Sequence, residues 1–232
     1  MINQSLPSRH PVESKSADLP MKRVLIAEGM DDLFAVVGLM EHHIPWGNKK
    51  KDWPVEIRPA NGVEEILNAA YLSAEIKSNQ IIGIMLDADE HAEGRYQRLR
   101  QLCENHFPEM PATQPPAGLV IQNADDKRLG IWIMPDNQSV GYLETFLRYL
   151  VPTSQFPLWQ HAEHAVREAV SLGAGCKDGH TPKAHLYTWL AWQDPPGRSP
   201  GIALTQKVLD SNSGLAQPFV SWFKDLYQLP AK

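Results

Sequence analysis

Three acidic positions stand where an α/β chain can use them. Glu28 follows the apolar run Val24-Leu25-Ile26-Ala27, and Asp87 and Asp89 follow Ile81-Ile82-Gly83-Ile84-Met85-Leu86. Carboxylates gathered within a few ångströms cannot all ionise cheaply, and at least one must hold its proton to higher pH. A hard divalent cation removes that penalty. Mg²⁺ takes oxygen ligands, commonly one or two carboxylates, with water and substrate phosphate oxygens completing its shell. An Asp-x-Asp at the point where the chain leaves a strand can aim both carboxylates at one ion, because strict alternation of side chains ends there. Glu28, arriving from another strand, would reach the same ion or move a proton as general acid or base. The bland alternative is that Asp87 and Asp89 only cap a helix start, a frequent use of Asp. Asp31 and Asp32 likewise suit the first turn of a helix, where the dipole favours negative charge.

Positioning these groups requires strands that end on one side of a sheet. Val24–Ala27, Val55–Arg58 and Ile81–Leu86 read as strands. The last is apolar on both faces, the signature of a central, doubly covered strand. Asp31–His43 and Gly62–Lys77 carry apolar stripes at helical spacing, and a polar helix is expected over about Arg95–His106. Gly118–Ile121 and Ile131–Met134, joined by a short polar turn, predict an antiparallel hairpin at a sheet edge. A helix over Val140–Leu150 completes this part. Strands alternating with helices imply an α/β fold with a mostly parallel sheet flanked by helices. In such sheets, sites form at the carboxyl ends of the strands, where the acids stand. Residues 1–20, rich in Ser, Pro and charge, read as a mobile tail. Residues 21–150 then form the sheet domain. Residues 151–232 read as a helical C-terminal extension, with helices over His161–Leu172, Lys183–Trp192 and Leu215–Leu226.

Composition narrows the classes. A chain of 232 residues, 43% hydrophobic, can bury a sizeable core unaided. Two cysteines make no disulfide framework, and fit a reducing compartment. No apolar run approaches the roughly 20 residues that span a bilayer, so no membrane partner and a cytoplasmic location are expected. Net charge is −5, and residues 1–150 carry −6 against +1 for the rest. An acidic front half opposes a polyanionic ligand unless cations cover it.

Taken together, three segments resemble the TOPRIM fold shared by topoisomerases, bacterial primases and OLD-family nucleases. They are Val24–Asp32 with its Glu28-Gly29, Ile84–Asp89 with its Asp-x-Asp, and Gly141-Tyr142-Leu143-Glu144. Gly130–Asn137 and Lys183–Ala191 are similar to small stand-alone TOPRIM-like proteins of bacteria and phages. The resemblance spans roughly residues 22–150, with a weaker extension to about 210. It implies a Mg²⁺ (or Mn²⁺) cluster acting on phosphodiester bonds, hence a nuclease on DNA or RNA. It further implies Glu28 as ligand or general acid/base, Asp87 and Asp89 as ligands, Asp32 and Glu144 as ligands of a second ion, and Lys183 as a contact to the scissile phosphate. The alternative is a non-catalytic TOPRIM-like binding or regulatory subunit of a larger nucleic-acid-processing or defence complex, docked on an ATPase partner. No topoisomerase tyrosine setting, DNA-gate domain or primase zinc module accompanies the motif, so strand passage and complete primase activity are not expected.

Other chemistry-bearing residues have plainer uses. His161, His164, Cys176, His180 and His185 fit no tight zinc spacing. Lys49–Lys51 with Trp46 and Trp53 could follow a nucleic-acid backbone, or form a solvated loop with anchored rings. Trp189 and Trp192 are expected in the core. There is no Walker-type phosphate loop.

Overall fold

The computed structural model describes residues 22–230, so the expected tail at 1–20 lies outside the described residues. Five strands, β1 (Arg23–Ala27), β2 (Glu56–Pro59), β3 (Ile81–Asp87), β4 (Leu119–Gln122) and β5 (Arg128–Met134), form one sheet in the order β2-β1-β3-β5-β4. All pairs are parallel except β4–β5, the antiparallel edge hairpin. The α/β, mostly parallel architecture is therefore as the sequence pattern requires. β3 holds the centre, and Ile81 to Leu86 are all buried.

Nine α-helices lie among the described residues: α1 (Met30–Met40), α2 (Val63–Ile66), α3 (Ala69–Ser78), α4 (Ala92–Cys103), α5 (Leu143–Arg148), α6 (Phe156–Ser171), α7 (Thr181–Ala191), α8 (Pro200–Thr205) and α9 (Gln217–Tyr227). Two differ in kind from the sequence expectation. The helix expected over Gly62–Lys77 is broken into α2 and α3. Asn68 is the reason: its Oδ1 accepts the Ala70 and Tyr71 N–H groups at 3.0 Å each, so it starts a new helix. α8, a helix the sequence pattern does not announce, opens with Pro200 at its first position. Its Gly201 packs so closely on α1 that a Cβ there would lie 2.7 Å from the Phe34 Cβ.

Two apolar layers cover the sheet. One joins Val24, Ile26, Ile82, Ile84 and Leu86 to α3 and α4. The other joins Leu25, Met85 and Trp132 to α1, α5, α7 and α9 in a single cluster, so residues beyond 151 share the core of the sheet. α9 is seated through glycines. A Cβ on Gly83 would run into the Tyr227 hydroxyl, which donates to the Val24 carbonyl at 2.7 Å, and one on Gly130 would run into Leu226. Phe219, Trp222, Phe223, Leu226 and Tyr227 are buried here, each worth about 1.5–3 kcal/mol. Trp189 is in this core as expected. Trp192 is not: it is 42% exposed and stacks on His161, because α7 ends at Ala191 and leaves it at the surface.

Candidate functional site

The parallel strands β1 and β3 end side by side, with Glu28 the first residue past β1 and Asp87 the last residue of β3. The Asp87 backbone N–H donates to Glu28 Oε1 at 2.8 Å, so the glutamate is fixed across the strand tips by the main chain and not by a cation. The chain then turns into α1. There Asp32 Oδ2 accepts the Gly29 N–H at 3.0 Å and closes the first turn. Asp31 and Asp32 do occupy the helix start. They also face a cleft.

That cleft, of about 390 Å³, is lined by Glu28, Gly29, Met30, Asp31, Asp32, Gly62, Asp87, Leu143, Glu144 and Lys183. Five elements build it: the tips of β1 and β3, the start of α1, the start of α5 and the start of α7. Gly62 adopts φ +89°, a left-handed conformation that a side chain would resist, and its N–H donates to the Glu28 carbonyl at 3.1 Å.

The acids here oppose one another. Burial, then the charges of Asp32, Glu28, Glu144 and Asp89, push the Asp87 carboxyl from 3.8 to about 9. Burial, then Glu28 and Glu144, push Asp32 to about 7. Burial raises Glu28 as well, only partly offset by the Asp87 N–H. Asp87 Oδ1 is sealed from solvent and, among the described residues, has no hydrogen-bond partner. A buried carboxylate oxygen left unpaired is expensive, typically about 1–3 kcal/mol or more.

Lys183 is the basic residue lining the cleft. Its Nζ donates to Asp31 Oδ2 at 3.0 Å and lies 3.6 Å from Glu144 Oε1. Asp31, read from sequence only as a helix-dipole acid, is thus Lys183's partner. This pairing across 152 residues leaves no local trace in the sequence.

Asp89 is disposed differently from Asp87. Its side chain forms an ion pair with Arg95 of α4 and lines a neighbouring groove, not the cleft. Its backbone is held at φ +51° by paired bonds with Gly141, Asp89 N–H to Gly141 O at 3.0 Å and the reverse at 2.9 Å. Gly141 must be glycine, since at φ +140° a Cβ would lie 2.7 Å from Thr145 Oγ1. This link ties the β3 exit to the start of α5 and so sets the position of Glu144.

Of the expected site residues, Glu28, Asp32, Asp87, Glu144 and Lys183 therefore come together, and Asp89 stands one loop away. The donor set is all oxygen, which suits a hard divalent cation. The sealed, unpartnered Asp87 Oδ1 among mutually repelling carboxylates fits one too. As the side chains lie, no group of three or more His, Cys, Asp or Glu among the described residues is close enough to enclose an ion. That applies equally to the histidines and Cys176. Trp46 and Trp53 touch each other at 5.7 Å and Trp46 meets Phe223 at 6.1 Å, so these rings anchor the Lys49–Lys51 loop to the core.

A family model described as protein of unknown function (DUF3226) matches residues 22–228. This chain belongs to that family. The match runs from β1 to α9, so the DUF3226 unit takes in the strand tips, the cleft and the helix that closes the far side of the sheet. No curated protein and no solved structure matches the chain. No helix among the described residues is long and apolar enough to cross a membrane.

Proposed function

We propose that this chain is a Mg²⁺- or Mn²⁺-dependent phosphodiesterase of the TOPRIM kind, a nuclease on DNA or RNA. The observation that carries the reading is Asp87, which lines the cleft beside the charges of Asp32, Glu28 and Glu144 while its Oδ1 is sealed without a partner among the described residues. A stably folded chain rarely keeps such a group without a use for it. Asp87, Asp32, Glu144 and Glu28 would hold the cation. When bound, it would supply charge neutralisation at the phosphate and an activated water. Glu28, oriented through Oε1 by the Asp87 N–H, would move a proton at Oε2, for which the described residues show no hydrogen-bond partner. Lys183, half exposed at the mouth, would leave Asp31 for a phosphate oxygen, exchanging one charge-assisted bond for another.

A second reading is favoured by the pairing of Asp89 with Arg95 and of Asp31 with Lys183. These suit a TOPRIM-like regulatory subunit that docks on a partner such as an ATPase and does no chemistry itself. Incubation with labelled single-stranded and duplex DNA and RNA, with Mn²⁺ or with chelator, separates the two. Metal-dependent cutting that Asp87→Ala abolishes supports the nuclease. Equal, or equally absent, cutting by both proteins removes it.

A further inference from the structure

On the other side of the Asp87–Asp89 loop lies a groove of about 560 Å³. Asp87 lines the cleft, and the next residues, Ala88 to His91, line the groove. Likewise Leu143 and Glu144 line the cleft, and Tyr142 lines the groove. Adjacent residues of the same two segments thus line the two depressions.

The groove's chemistry is unlike the cleft's. Of its two acids, Asp89 is already neutralised by Arg95 and Glu90 is exposed. Arg98, one turn further along α4, is exposed and has no partner among the described residues. α4 opens onto the groove without a side-chain cap: His91 stands at the N-cap position and makes no capping bond. Gly94 in the first turn leaves that backbone uncovered. The helix start therefore adds unclaimed N–H groups and a positive dipole end beside a free guanidinium. Tyr142 presents a partly exposed ring on the opposite wall, a surface on which an unpaired base can stack. The size fits a ligand of nucleotide dimensions.

A strand approaching the acidic cleft needs somewhere to leave its flanking phosphate, because the cleft itself repels it. We propose that this groove binds the phosphodiester backbone of a single nucleic-acid strand. Arg98 contacts the phosphate, Tyr142 stacks the adjoining base, and the next phosphate along is delivered to the cleft. The inference rests on the nuclease reading and narrows its substrate to unpaired strands. Glu90 at the rim limits the groove's net charge, so binding is of moderate affinity and strongly salt-dependent.

The test is fluorescence anisotropy of a labelled single-stranded oligonucleotide, in chelator, titrated over a range of KCl concentrations with the full chain. Arg98→Gln should weaken binding about threefold to tenfold and lower the salt slope by roughly 0.7, the contribution of one phosphate contact on a single strand. Arg98→Lys should retain most of the slope. The duplex of the same sequence should bind at least about tenfold more weakly than the single strand. Unchanged affinity and slope in Arg98→Gln, or equal binding of duplex, overturns the groove assignment. Chelator makes the result independent of the cleft. Loss of the metal reading would show instead as absent Mn²⁺ uptake by the wild type. Because the Arg98 side chain projects into solvent, its variants should melt with the wild type, which circular dichroism checks.

Discussion

Along β3, Ile81 to Leu86 are buried, paired with β5 throughout and with β1 over Ile81 to Ile84, and Gly83 makes room for Tyr227. One residue on, Asp87 is largely enclosed too, but its Oδ1 is sealed without a partner and its carboxyl holds a proton to about pH 9. Two residues beyond, Asp89 is paired with Arg95 and tied by its backbone to Gly141. The strand body and Asp89 obey the rules of a stable fold; Asp87 breaks them. Local rule-breaking inside an otherwise consistent element is where function is to be sought. Under the proposed function, the contrast assigns Asp87 to the cation and Asp89 to positioning the loop.

The largest effect expected from this contrast is catalytic. Asp87→Ala should lower metal-dependent kcat/KM on an oligonucleotide by about a thousandfold or more, a typical loss when a charge-stabilising group is removed. Asp89→Ala should lower it by only about tenfold, through a looser loop. Comparable losses would erase the distinction between the two aspartates.

Stability should move the opposite way. Asp87 and Asp32 have folded pKa values above those of the unfolded chain, so the folded state holds their protons more tightly. Their stabilising protons are fully present below about pH 4, and that stability is lost as pH rises through about 7 and then about 9. Metal-free Asp87→Asn should accordingly be more stable than wild type at pH 8, by on the order of 1–3 kcal/mol, with the gain vanishing near pH 4. Urea unfolding at the two pH values measures it. A destabilised Asp87→Asn at pH 8 would mean that the carboxylate has a partner and is satisfied.

The strand body should show ordinary packing behaviour. Gly83→Ala drives a methyl into Tyr227 and Leu25 and should cost about 1–3 kcal/mol at every pH, as overpacking does. Smallest of all, Arg95→Gln should change stability by less than about 1 kcal/mol, since its pair with Asp89 is partly solvated.

Much of the scaffold was legible in the chain because strands and helices announce themselves by period. The uninterrupted apolar run at 81–86 marked the central strand, and the short polar turn at 125–130 marked the edge hairpin. α8 was hidden by its own Pro-Gly start, and the α2–α3 break by an Asn whose capping role depends on local backbone. At the site, Glu28 and Asp87 were visible because acids terminating apolar strands must gather at one sheet edge. Whether Asp89 turned toward the cleft or away was set by Arg95 and Gly141, six and 52 positions distant, which no local pattern encodes. The salt bridge from Lys183 to Asp31 was hidden in the same way.

Under the proposed function, the Asp87 carboxylate tolerates its neighbours only in the company of a divalent cation. Calorimetric titration of Mn²⁺ into chelator-stripped protein at pH 8 tests it most directly. The account predicts saturable uptake by the wild type and by Asp89→Ala, with protons released on binding, and no uptake by Asp87→Ala. Saturable uptake that survives Asp87→Ala, or none by the wild type, would contradict it.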